Sequence, residues 1–272
     1  MSRAGDGHLI PAAPAPRFTR FFSRYVERML RRSFAAVHVA TDSASAAQAC
    51  AVADTPLIIT QNHVSWWDPL IACPAGMTYF PERSVRAPMD ASQLEKFKFM
   101  RKLGIFGIDP DDPASLQAMS DYILEFFAGE ARPTLWITPQ GRFADVRTPI
   151  RVRPGAAAIA ARTQESRGDV RVLSLAVEYA FWLDKKPEIF LRFERCDCDG
   201  HTTTDWHRAI TDGMARNAAA LATLVTARDA APFTPLVSQS GRINPVYDLL
   251  LKLRGKSGTL DTPRLQAQET TT

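Results

Sequence analysis

The stretch Gln61-Asn62-His63-Val64-Ser65-Trp66-Trp67-Asp68-Pro69 holds a histidine and an aspartate with four residues between them. Histidine is the side chain best matched to general-base work near neutral pH. A carboxylate on its Nδ1–H would fix the tautomer and leave Nε2 open to take a proton. The pair is a Ser-His-Asp relay without the serine. No G-x-S-x-G elbow occurs to supply one. The nucleophile would then be a hydroxyl of the substrate itself, with no covalent enzyme intermediate. An arbitrary His-x4-Asp is more often a pair of loop hydrogen bonds than a relay, so its neighbours in sequence decide its meaning.

The elements that must position this pair alternate strand and helix. Residues 56–60 (PLIIT) predict a short buried strand just before the pair, and ligands of α/β folds gather at the C-terminal ends of strands. Helices are predicted over 92–102, 113–128, 155–162 and 205–228, with Thr204 or Asp205 as cap of the last. Strands are predicted over 105–108, 134–138, 170–179 and 188–194. Such alternation predicts an α/β fold: a mostly parallel sheet flanked by helices, with a basic amphipathic helix at the N-terminus.

That helix is predicted over 17–34, where Phe18, Phe21, Phe22, Tyr25, Val26, Met29, Leu30 and Phe34 recur at helical spacing. Between them lie Arg17, Arg20, Arg24, Arg28, Arg31 and Arg32 against the single acid Glu27. Bulky aromatics beside arginines suit an anionic bilayer surface. Arg17, Arg20, Phe21, Phe22, Arg24, Arg28, Arg31 and Arg32 are the candidate membrane-binding residues. The competing reading is a helix packed on its own domain with a solvated basic face.

Composition excludes several classes. Of 272 residues, 46% are hydrophobic and 23% charged, enough for a sizeable core and against global disorder. The net charge of +4 is mild. Interleaving of basic residues with aromatics is concentrated in the first helix, so no nucleic-acid partner is expected. Four cysteines do not make a disulfide framework in a chain of this length. Cys196, Cys198, His201 and His207 lack the spacing of a zinc ribbon or finger, so no metal is expected. No apolar run reaches the ~18 residues that span a bilayer. The domain reading is a disordered leader at 1–16, a membrane-association helix segment at 17–45, a catalytic domain at 46–256 and a disordered tail at 257–272. A second basic apolar segment lies at 246–254, and His38 is read as structural.

Four blocks in order resemble the glycerolipid acyltransferase superfamily, which contains bacterial 1-acylglycerol-3-phosphate acyltransferase. Asn62-His63-x4-Asp68 resembles its NHx4D motif. Leu103-Gly104-Ile105-Phe106-Gly107-Ile108-Asp109 resembles its glycine-to-FIDR block, and Trp136-Ile137-Thr138-Pro139-Gln140-Gly141-Arg142-Phe143 its FPEGTRS block. Arg153-Pro154-Gly155-Ala156-Ala157-Ala158-Ile159-Ala160 resembles the KKGAxxxA helix, and the likeness runs over about residues 50–230. The resemblance implies acyl transfer from acyl-CoA or acyl-carrier protein to a lysophospholipid or related lipid acceptor, through a hydroxyl or amine. It makes His63 the base and Asp68 its orienting partner. Asn62, Ser65, Gln140, Gly141 and Arg142 become the substrate-binding set, and Gln140 and Gly141 lie near the developing oxyanion. It implies no cofactor beyond the acyl donor, and a peripheral place on the cytoplasmic face of the cell membrane.

Three positions depart from the family pattern. Its glutamate is Gln140, and two of its phosphate-gripping arginines are Pro110 and Phe143. The departures weaken the case for a phosphate-bearing acceptor. Arg86, Lys96, Lys98, Arg101, Arg147 and Arg151 are the cations considered as replacements. The departures also favour a rival reading, a catalytically silent lipid-binding protein of the same fold. A third reading, ester hydrolysis, would put water in the acceptor's place.

Overall fold

The computed structural model describes residues 9–182 and 185–238. The segment 246–254 and the tail 257–272 lie outside the described residues. The described chain runs α1 (Pro16–Ser33), β1 (Ala36–Ala40), α2 (Ala44–Ala51), β2 (Leu57–Gln61), α3 (Asp68–Tyr79), β3 (Ser84–Asp90), α4 (Ala91–Lys96), β4 (Ile105–Ile108), α5 (Pro113–Gly129), β5 (Pro133–Ile137), α6 (Gly155–Arg167), β6 (Arg171–Ala180), β7 (Glu188–Arg195), α7 (Thr203–Ala227) and β8 (Phe233–Ser238). A 3₁₀ turn at Lys98–Leu103 follows α4.

Eight strands form one sheet in the order β4-β3-β5-β2-β6-β7-β1-β8. Five neighbouring pairs are parallel, and β6–β7 and β1–β8 are antiparallel. The expected α/β class with a mostly parallel sheet is the fold observed. Every residue of β2 and β5 is buried, as central strands covered on both faces must be. One face packs Leu57, Ile59, Trp136, Leu173 and Leu175 beneath residues of α1, α2 and α3. The other packs Ile58, Leu135, Ile137 and Val172 beneath α5, α6 and the first half of α7.

The helix starts follow from local chemistry. Asp112 accepts from Ala114 N and Pro113 takes the first position of α5, where its missing N–H costs little. Thr202, not Thr204 or Asp205, caps α7, in a reciprocal box with Asp205. The buried Arg83 ties the N-terminal ends of the strands together. Its guanidinium donates to the carbonyls of Cys50, Ala53, Thr55 and Pro133 and to Thr134 Oγ1. Burial lowers its pKa to about 10.

The N-terminal expectations need correction. Residues 9–15, assigned to a disordered leader, are hydrogen-bonded to the domain. Ile10 bridges Gly107, and Ala13 and Ala15 donate to the carbonyls of Arg101 and Lys102. The 17–45 segment is not a separate helical unit either. The helix ends at Ser33, and Ala36–Ala40 forms a strand inside the sheet, between β7 and β8. Val26 and Leu30 of α1 belong to the main core, so this helix packs on its own domain along one stripe. The predicted 92–102 helix is a short α4 followed by a 3₁₀ turn. Its residues offer no continuous apolar stripe to hold a longer helix against the core.

Candidate active site

The site lies at the C-terminal ends of the parallel strands. The loop 62–67 leaves β2, Pro139 and Gln140 follow β5, Asp109 and Pro110 follow β4, and Tyr179 stands near the end of β6. Asp68 opens α3 with no exposed surface. Its Oδ2 accepts from Val64 N at 2.7 Å, Ser65 N at 2.9 Å and His63 Nδ1 at 2.9 Å. Its Oδ1 accepts from the Tyr179 hydroxyl at 2.6 Å. A buried carboxylate is tolerable only when its lone pairs are used in this way. With Nδ1 donating to Asp68, the neutral ring carries its open lone pair on Nε2. That nitrogen makes no hydrogen bond among the described residues.

Burial and the adjacent Asp68 charge both push the Tyr179 hydroxyl pKa up. The phenol therefore stays protonated and donates throughout the neutral range. Sequence reasoning missed this residue. Nothing local marks it, because only the β2–β6 pairing carries a residue 111 positions away to Asp68.

The backbone of the His63 loop is held from two sides. Gln140 Oε1 accepts from His63 N at 2.9 Å, and His63 O accepts from Ala144 N at 2.8 Å. An amide oxygen fills the acceptor role that a glutamate oxygen would fill at position 140, so this departure from the family pattern leaves the loop anchored. Asn62 is spent on structure. Its side chain donates to Val177 O and accepts from Val177 N, so its polar atoms pair with β6. Ser65 Oγ accepts from Trp67 N within the same loop.

Gly141 has φ +66° and would place a Cβ 2.9 Å from Arg153 Nε, so a glycine fits there and a side chain does not. Its N–H donates to Thr138 O, which leaves it unavailable to an oxyanion. Arg142 is exposed at the rim. Phe143 is 57% exposed, and its ring lies 4.2 Å from the His63 imidazole, centroid to centroid.

A cation does reach the place of the missing arginines, from an unexpected position. Arg153 lies over Gly141 and its Nη1 donates to Pro110 O at 3.0 Å. The cations considered from the sequence are partly engaged elsewhere. Arg86 lies over the Phe126 ring, Arg101 donates to Pro11 O and Arg147 pairs with Asp145. Of the proposed membrane-binding residues, Phe22 is half-buried, whereas Phe21 and the arginines 17, 20, 24, 28, 31 and 32 are exposed. Among the described residues no group of three or more metal-ligating side chains converges; His207 Nε2 instead contacts Val152 O.

Comparison with known proteins decides the family. The Acyltransferase family model matches residues 36–178, just over half of the chain and the part that holds β1 through most of β6. The chain belongs to the Acyltransferase family. This is the superfamily that the four motif blocks resemble, and the acyltransferase is built on the α/β sheet they imply. The match starts at β1. Among solved structures, the crystal structure of the 1-acyl-sn-glycerophosphate (LPA) acyltransferase PlsC from Thermotoga maritima matches at a TM-score of 0.49. Identity is 13%, with 76% of this chain and 82% of that chain covered. No curated protein matches. Among the described residues of this acyltransferase, no helix is long and apolar enough to cross a membrane.

Proposed function

We propose that this acyltransferase moves a fatty acyl group from acyl-CoA or acyl-carrier protein to a hydroxyl or amine of a lysophospholipid or related lipid, by general-base catalysis at His63. The observation that carries the reading is the His63–Asp68 pair with Nε2 unbonded at the C-terminal end of a parallel sheet. The acceptor's O–H gives its proton to Nε2 as its oxygen attacks the thioester carbonyl. The C–O bond forms, the tetrahedral intermediate collapses, the C–S bond breaks and the thiolate leaves with the proton that His63 returns. Asp68 holds the ring and offsets the positive charge that His63 carries between those steps. Gln140 Nε2 makes no hydrogen bond among the described residues and, with exposed Arg142, is a donor available to the developing oxyanion. No metal or organic cofactor enters the scheme.

The outer face of α1, with its arginines and Phe21, would rest on an anionic membrane at the cytoplasmic side. An acceptor held in the bilayer would then stay within reach of the site. The silent lipid-binding reading draws on Gln140, Phe143 and Pro110; at Gln140 the amide oxygen keeps a contact with the His63 loop, which supports the enzyme. Phe143 and Pro110 remain in its favour, since neither offers a charge to an acceptor.

The test offers acyl-CoA and acyl-carrier protein with vesicles carrying lysophosphatidate, lysophosphatidylcholine, an amino-lipid or a glycolipid, and identifies products by mass spectrometry. A new ester or amide on one acceptor supports the reading. Free fatty acid as the sole product would make the protein a hydrolase. No product with any acceptor would favour the silent reading.

A further inference from the structure

The 3₁₀ turn after α4 carries the run Phe97-Lys98-Phe99-Met100-Arg101-Lys102, aromatic and basic residues together with no acid. The fold brings this turn against α1, about 80 residues earlier in the chain. Phe99 meets Phe18 at 6.3 Å and Phe22 at 5.8 Å between ring centroids, and Phe22 meets Tyr25 at 6.0 Å. Lys102 Nζ lies 5.3 Å from the centre of the Phe18 ring. Around this joint, Phe21 is 68% and Phe97 47% exposed. Several large rings left in solvent on adjoining elements mark an interaction surface. The surrounding charge says what covers it. α1 holds six arginines and one glutamate, and residues 97–102 hold three cations and no acid. Rings that enter an acyl boundary, fringed by long cationic side chains that reach phosphates, fit an anionic bilayer.

We propose that residues 97–102 and the outer face of α1 form a single footing for an anionic lipid surface, with Phe97 and Phe21 entering the bilayer and Lys98 meeting its phosphates. The proposal rests on the reading that the acceptor is a lipid, and it adds a second, non-helical element to the α1 contact. The same helix ties this footing to the relay. At the far end of α1, Phe34 packs edge-on against Trp67 at 4.9 Å and meets Tyr179 at 6.0 Å. The surface that touches lipid and the loop that holds Asp68 are thus braced by one rigid rod.

The test compares wild type with Phe97→Ser, Lys98→Glu and Phe21→Ser. It uses co-sedimentation with vesicles of phosphatidylglycerol and phosphatidylcholine, and with phosphatidylcholine alone. These side chains lie on the surface, so circular dichroism and melting temperature should match wild type. Lys98→Glu should weaken partition onto the anionic vesicles about tenfold or more, because the reversal both removes a favourable charge and adds a repelled one. Phe97→Ser and Phe21→Ser should each weaken it by about tenfold as an aromatic side chain is lost from the interface. Added salt should weaken wild-type binding. Wild-type partition by both Phe97→Ser and Lys98→Glu would overturn the footing. Normal vesicle binding with turnover lost only on acyl-carrier protein would also overturn it, and would make this face a protein-docking surface. Thiol release from acyl-CoA with a dispersed short-chain acceptor and no vesicles should persist in all three variants. Its absence in wild type as well would count against the transfer reading while leaving the partition result to judge the footing.

Discussion

Two histidine–carboxylate pairs sit among the described residues, and they are built differently. His63 Nδ1 lies 2.9 Å from Asp68 Oδ2, and His38 Nε2 lies 2.6 Å from Glu188 Oε2. Burial does not separate them, since the histidine side chains are 17% and 15% exposed. What differs is the nitrogen that is tied and the surroundings of the other. His38 lies within β1 and stacks on Phe190 at 5.1 Å, with Trp182 and Phe233 around it. The bond to Glu188 takes its Nε2, and the ring works as a core side chain. His63 stands on a loop at the strand ends, its inner nitrogen bound to a fixed carboxylate and its outer nitrogen unbonded. A histidine beside an acid is therefore not a catalytic signature by itself. The carboxylate must be held by other donors, and the second nitrogen must face a place where substrate can come.

The sharpest break in that comparison is alanine at each histidine. His63→Ala should abolish transfer and keep the fold. His38→Ala should leave turnover within about threefold of wild type and lower the melting temperature by about 5–10 °C, through loss of packing and a part-buried hydrogen bond. Loss of activity in both, with equal loss of stability, would erase the distinction. Next come the carboxylates. Asp68→Asn should slow turnover ~10²–10⁴-fold, because an amide no longer sets the tautomer or offsets the imidazolium charge. Glu188→Gln should change turnover little. Steady-state rates on purified variants decide both.

A smaller effect is expected at Tyr179. Tyr179→Phe removes the donor on Asp68 Oδ1 and should lower kcat by about 3–10-fold. It should also leave more negative charge on the oxygen facing His63, which favours the imidazolium. The acid limb of the pH–rate profile should then move to higher pH. A tyrosine that merely packs would lower the rate without moving the limb.

The smallest effect tests a carboxyl that, unlike Asp68, buries an oxygen with no hydrogen bond among the described residues. Glu178 Oε2 is buried without a hydrogen bond, and burial raises the carboxyl pKa above its ordinary 4.5. A raised folded-state pKa gives stability that is complete below the unfolded value and is lost as pH rises through the folded value. Glu178→Gln should therefore raise the melting temperature at pH 7 by a few degrees, and the gain should vanish below about pH 4. Calorimetry at both pH values checks it.

The hydrogen-bonded His63–Asp68 pair was legible in the sequence because its parts are close together in the chain. The eight residues after β2 hold the histidine, the aspartate and the proline in the first turn of α3. Tyr179 and Arg153 were not legible in these roles, since each acts through a contact set by the whole sheet or by the path of the 139–154 loop. Strand β3 was missed for a local reason. Ser84-Val85-Arg86-Ala87-Pro88-Met89-Asp90 is half-buried, lacks alternation and contains a proline, so it reads as a loop until β4 and β5 pair with it. Strand β1 was hidden behind the helix period that precedes it, and β8 carries Pro235. The first helix packs Val26 and Leu30 into the core and leaves its arginines exposed. The sequence shows an apolar stripe and a basic face, and only packing shows that the stripe is inside the domain.

If His63 serves the acceptor directly, no acyl group is ever carried on the protein. This is tested most directly by mixing enzyme with an acyl thioester, with and without a lipid acceptor, while following thiol release and the intact mass of the protein. The expected result is thiol release that requires the acceptor, an acylated acceptor in equal amount, and an unchanged protein mass. A burst of one thiol per enzyme without acceptor, with the protein heavier by one acyl group, would contradict it.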